Sequence, residues 1–253
     1  KYSQLKTDLD LNTTRKSSFG YTTELFKPID KKEILKQVQS FTLSNDVKYF
    51  VEEYEKIFSE RSRFEWKWLG TVFRDAGVTL SSIDEKYLDS ITDCKILFCL
   101  LYIILDDVAE VHKDEAQLKE MLEIFNNNSV KKYNKKIILL KELWQFLQNK
   151  LAQFPRYEEF KDVFMYDFKQ VLNSAEYSIL INKNPELINS TELEIYDSHG
   201  MVVFLINGID LMVSPDFDKT ELSKLRAIFW HSQQMARIGN SLGTWKREIK
   251  EKD

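Results

Sequence analysis

Asp106, Asp107 and Glu110 follow directly on the apolar run 96–105 (ILFCLLYIIL), so a stretch of hydrocarbon side chains ends abruptly in three carboxylates. On a helix turning about 100° per residue, positions i, i+1 and i+4 fall within about a third of the circumference. Acids so placed repel one another unless a cation lies among them, and an all-oxygen donor set favours Mg2+ over zinc. A second group of donors stands in NSLGTWKRE (240–248). Asn240, Thr244 and Glu248, each four residues from the next, form a stripe about 12 Å long on one helix face. Their amide, hydroxyl and carboxylate oxygens can chelate one Mg2+ without gathering like charges. Arg247, beside Glu248, is placed to pair with a phosphate oxygen. Taken singly, either group also reads as a helix face turned to water.

Taken together, D-D-V-A-E (106–110) and N-S-L-G-T-W-K-R-E (240–248) resemble the two metal-binding motifs of the class I terpene synthases, DDxx(D/E) and NDxxSxx(R/K)E. The likeness is to the single-domain microbial type, and it runs from about residue 30 to the end of the chain. Ser241 stands where that family often has Asp, and Thr244 keeps the hydroxyl of the family's Ser. The resemblance implies an all-α, class I terpenoid synthase fold, an antiparallel helix bundle around a central apolar pocket. It implies Mg2+ ions, three in that family, held by Asp106, Asp107 and Glu110 on one side and by Asn240, Thr244 and Glu248 on the other. The implied reaction is ionisation of a linear prenyl diphosphate followed by cyclisation of the carbocation, with release of diphosphate. Metals and Arg247 would neutralise the departing charge, and an aromatic-lined cavity would shield the cation.

The same likeness points to a broken helix. Y-D-S-H-G (196–200) occupies the place of the family's diphosphate sensor, linker and effector, so Gly200 resembles the effector and His199 the linker. Tyr196 stands where the sensor is Arg and can offer one hydrogen bond but no charge. From the residues themselves, Gly200 and Gly208 within EIYDSHGMVVFLINGIDLMV mark a break, a close backbone approach, or simply tolerated glycines. Helical spacing puts Phe98 and Tyr102, eight and four residues before Asp106, on the face below the metal groups, and Phe204 one turn after Gly200. These three are the expected substrate-lining aromatics, and each also reads as an ordinary core ring. Farnesyl diphosphate is slightly favoured over geranylgeranyl diphosphate, because Phe98 and Leu97 are bulky enough to floor a medium cavity. Two other readings stand beside this one: a catalytically silent helical binding protein derived from a cyclase, and a prenyl diphosphate synthase-like transferase. The transferase would need a second aspartate-rich motif, and SPDFDKTE (214–221) has the wrong spacing for it.

The elements that must carry these groups are helical throughout. Apolar residues recur three and four apart over 30–41, 45–64, 84–111, 114–125, 130–153 and 157–182, and no stretch alternates at period two. The segment 190–212 forms an interrupted helix. A last helix is expected to open with Ser214 as N-cap and Pro215 at its first position. Residues 1–29 read as an N-terminal segment that could cap the active site, and 30–253 as one domain. The resemblance also implies closing helices and an Arg-Tyr pair beyond Asp253. Among 253 residues, 43% are hydrophobic and 13% aromatic, with seven glycines and four prolines, which suits long helices and one large core. A net charge of −4 argues against nucleic acid as a general partner. No run is long enough to span a bilayer, no signal peptide is legible, and Cys94 and Cys99 diverge on a helix. A cytoplasmic monomer or homodimer is therefore expected.

Overall fold

The computed structural model describes residues 31–58, 66–75, 78–126, 130 and 133–251, with Lys31, Asp75 and residues 245–251 described by their backbone alone. All regular structure among the described residues is helical. In chain order the helices are α1 (Lys31–Ser40), α2 (Asn45–Ile57), α3 (Trp66–Asp75), α4 (Leu88–Asp106), α5 (Glu115–Leu122), α6 (Lys135–Leu151), α7 (Tyr157–Lys183), α8 (Ser190–Ile195), α9 (Val203–Leu211) and α10 (Leu222–Glu251). The chain divides into two compact units, Lys1–Gln37 and Val38–Asp253, and of the first only the opening of α1 is described. No described helix is long and apolar enough to cross a membrane.

Helix α4 is the axis of the second unit. Ile91, Ile96, Leu97, Leu100, Leu101, Ile104 and Leu105 are fully buried on one side of the helix and Lys95 is fully buried on the other, as a helix enclosed by its neighbours requires. Phe98 of α4 meets Phe164 and Phe168 of α7, and Tyr102 one turn later reaches Ser174, so α4 and α7 run parallel. The α8–α9 stretch returns antiparallel: Ser174 bonds the carbonyl of Asp197, while Gly208 lies against Phe164. Helix α10 reverses again, with Arg226 on Asp167 and Arg237 on Asp197. The C-terminal part of α4, the break between α8 and α9, and the turns of α10 around Arg237 consequently share one end of the bundle.

Helix boundaries follow local capping. Ser44, Asp114, Asn134 and Asn189 each accept a backbone N–H of the first turn. The expected helix start at Ser214 and Pro215 is corrected. Ser214 is buried, its hydroxyl donates to the Asp210 carbonyl and meets Ser82, and it caps nothing. Asp218 instead accepts from the Thr220 N–H, opening a 3-10 turn (Lys219–Glu221) that leads into α10. The segment expected to be helical over 45–64 ends its helix at Ile57, and 59–65 lie outside the described residues. Helix α3 had not been expected.

Candidate functional site

Asp106 is the last residue of α4, and the chain then widens into a π turn, Asp107–Val111, closed by the His112 N–H on the Asp107 carbonyl at 2.9 Å. Such single π turns recur where a side chain must be re-aimed at a site. Lys113, at φ 49°, ends the turn in the left-handed region. The three acids of the first motif part company here. Asp107 is buried and accepts a 2.6 Å hydrogen bond from the Tyr54 hydroxyl of α2. Asp106 and Glu110 are half-buried. Burial, followed by the charges of Glu110, Asp107 and Asp197, pushes the Asp106 carboxyl well above the usual carboxylate range, against the opposing pull of Arg237. No basic residue lies in the last turn of α4, so the helix dipole adds to the same repulsion.

The break expected near Gly200 is present, and so is a close approach. Helix α8 ends at Ile195, a 3-10 segment runs over Asp197–Met201, and Val202 takes φ 52° before α9 begins. A Cβ on Gly200 would stand 2.2 Å from the Tyr102 hydroxyl and 2.7 Å from its ring carbon. The Tyr102 hydroxyl pairs with Ser174 Oγ at 3.4 Å, which in turn donates to the Asp197 carbonyl at 3.3 Å. The first motif's helix is thereby seated against the break through one tyrosine.

The second motif's helix is fastened to the same break by side chains that sequence reasoning passed over. Gln233 Nε2 bonds Ser198 Oγ at 3.4 Å and His199 Nδ1 at 3.2 Å, Gln234 bonds Glu194, and Arg237 Nε pairs with Asp197 Oδ2 at 2.5 Å. At 100° per residue Gln233, Arg237, Asn240 and Thr244 share one side of α10. Asn240 is exposed, and Thr244 is half-buried with its hydroxyl donating to the Asn240 carbonyl at 2.8 Å. Glu248 and Arg247 continue the helix, and their side chains lie outside the described residues. Among the described residues no three Asp, Glu, His or Cys side chains converge as a complete metal cage.

The expected substrate-lining residues are dispersed. Phe98 belongs to the packed core, edge-on to Trp144, Phe164 and Phe168. Tyr196 is exposed and its ring lies 5.3 Å from that of Tyr177. The His199 imidazole, lowered in pKa chiefly by burial, lies between Phe204 and Trp230. Phe204 lines a cleft shared with Phe164, Gly208 and Phe229 and bordered by Arg226. There the Arg226 guanidinium lies 4.8 Å over the Phe204 ring and makes two bonds to Asp167, at 2.6 and 2.7 Å.

Comparison of the chain with protein-family models, with curated protein sequences and with solved structures finds no match.

Proposed function

We propose that this protein takes a linear prenyl diphosphate with Mg2+, ionises it, and folds the resulting allylic cation into a cyclic terpene. The observation that carries the reading is the convergence on one broken segment. Tyr102, one turn before Asp106, packs on Gly200, while Arg237, one turn before Asn240, pairs with Asp197. The two helices that carry the motifs are thus each tied, one turn before the motif, to the same five residues.

The residues present fit the metal. Asp106 lies at a helix C-terminus among other acids, with its carboxyl driven upward by burial and by those charges, an arrangement that a divalent cation would relieve. Mg2+ in phosphate chemistry is commonly held by one or two carboxylates plus the substrate's own oxygens. Asp106 and Glu110 supply that number while Asp107 is engaged with Tyr54. Asn240 and Thr244, with Glu248 by helical register, would hold metal from the other side. When bound, the ion neutralises the charge that builds on the departing diphosphate. Farnesyl diphosphate is the favoured substrate and geranylgeranyl diphosphate the next.

Incubation with prenyl diphosphates of ten, fifteen and twenty carbons, with and without Mg2+, tests this. Mg2+-dependent diphosphate release without a second prenyl acceptor is expected, with cyclic hydrocarbons detected by gas chromatography. Absence of release from every substrate would overturn the reading, and conversion of only the twenty-carbon substrate would overturn the choice of chain length.

A further inference from the structure

Helix α10 packs on the bundle by one side. Phe229 and Gln233 are buried there, and Arg237 follows on the same side to reach Asp197. The opposite side carries four of the five most exposed large hydrophobic side chains among the described residues: Met235 at 73%, Leu242 at 66%, Ile238 at 61% and Ile228 at 59%. From Ile238 to Gly243 every residue is exposed, and a Cβ added to Gly239 or Gly243 would meet nothing within 4 Å outside its own stretch of helix.

The spacing of this apolar side is regular. Ile228, His231, Met235, Ile238 and Leu242 stand alternately three and four residues apart, and the sequence carries the alternation on through Trp245 and Ile249. A seven-residue repeat kept over three repeats is the pattern by which one helix packs along another. Between Ala227 and Gly243 no Lys, Arg, Asp or Glu stands on this side. Ala227, Ser232, Gly239 and Ser241 flank the stripe, small enough for a second backbone to come close.

We infer that this side of α10 is an interface between two copies of the chain, in which α10 packs along its counterpart about a two-fold axis. The lack of formal charge selects the partner. A two-fold interface sets one surface against itself, so charges of one sign on it would repel, whereas a charged partner of another kind would be recognised through opposite charges that this side does not offer. The area suffices as well. The four side chains expose on the order of 500 Å2 per copy, as much as the largest apolar patch of a typical monomer. Two copies thereby reach the roughly 1,000 Å2 that a specific interface requires. The stripe lies on the side of α10 away from Arg237, Asn240 and Thr244, so pairing leaves the second motif uncovered and does not depend on the prenyl diphosphate reading.

Sedimentation velocity on the full chain at roughly 1–100 µM tests this. Wild type should sediment with the mass of two chains. Met235→Glu with Leu242→Glu in one variant, and Met235→Lys with Leu242→Lys in a second, should each halve that mass. Mixing the two variants should restore it, because opposite charges then face one another whether the helices pair parallel or antiparallel. Circular dichroism checks that each variant keeps its helices, and recovery in the mixture would itself require both folds intact. Wild type with the mass of one chain at every concentration would overturn the inference. Variants that keep the mass of two chains, or a mixture of helical variants that stays at the mass of one, would overturn it too, by showing that this side of α10 does not meet its own copy.

Discussion

Asp106 sits where a carboxylate is costly: at the negative end of an apolar helix, among Glu110, Asp107 and Asp197. A carboxyl whose folded pKa lies above its unfolded value, about 3.9, binds its proton more tightly in the folded state. Its contribution to stability is therefore fully present below pH 4 and is lost as the pH climbs through the folded value. Asp106→Asn removes that loss. Without metal, the variant should melt a few degrees above wild type at pH 7 to 8, at roughly 2–4 °C per kcal/mol for a chain of this length. The difference should shrink toward pH 4, while turnover disappears. A variant less stable than wild type at pH 8 would show that the acidic cluster is not strained. Its neighbour behaves oppositely. Asp107 takes the Tyr54 hydroxyl inside the core, so Tyr54→Phe should cost about 1–2 kcal/mol in urea unfolding and leave the metal dependence of turnover unchanged. On the proposed reading, adjacent residues of one sequence motif divide between metal binding, at Asp106, and packing, at Asp107. The spacing alone showed three acids on one side of a helix; the π turn and a partner from α2 decide which of them remain together.

At the scale of elements, the break between α8 and α9 governs how α4, α7 and α10 meet. Gly200 is required by the Tyr102 ring, since a methyl group there would overlap its hydroxyl and ring carbon. Gly200→Ala should destabilise by about 1–3 kcal/mol through overpacking, and Tyr102→Leu in the same chain should recover part of the loss. A double-mutant cycle with no coupling between the two changes would contradict the contact. Two interior glycines in an apolar segment signalled this disturbance in the sequence, but not its partner, because Tyr102 is remote in the chain and nothing local marks it. Helical periodicity likewise gave most of the helices and the all-α class. It missed α3, and it misplaced the start of α10, because the Ser214 hydroxyl is spent on its own preceding helix while Asp218 does the capping. The clamp of Gln233, Gln234 and Arg237 was illegible for a different reason. Polar residues at helical spacing look the same whether they face water or another backbone. Only the approach of the broken segment distinguishes them.

At the scale of the molecule, the broken segment must be held at both ends if the site end is to keep its geometry. Arg237, Gln233 and Ser174 hold the break itself, and the far end of α9 is held by an ion pair in the core. Lys95 of α4 and Asp210 of α9 are both fully enclosed and lie 2.7 Å apart. Lys95 also donates to the Thr79 hydroxyl at 2.7 Å, and Asp210 accepts the Leu80 N–H at 2.9 Å, so α4, α9 and the 78–80 loop meet at one charge pair. Burial drives Lys95 downward and Asp210 up to about 6, and the attraction between them works against both shifts. Such a pair stabilises little relative to apolar side chains of the same size, yet losing one partner leaves an uncompensated charge in the core. Lys95→Met should therefore lower stability by about 3–5 kcal/mol, as read from the urea midpoint at constant slope. Combining it with Asp210→Leu should recover much of that loss, short of the bond left unmade at the Leu80 N–H. Because the pair joins the motif helix to the helix that follows the break, the double variant should also bind Mg2+ and diphosphate more weakly despite its recovered stability. Recovered stability with unaltered binding would mean that packing alone sets the spacing of α4 and α9, and that the charges are dispensable to the site.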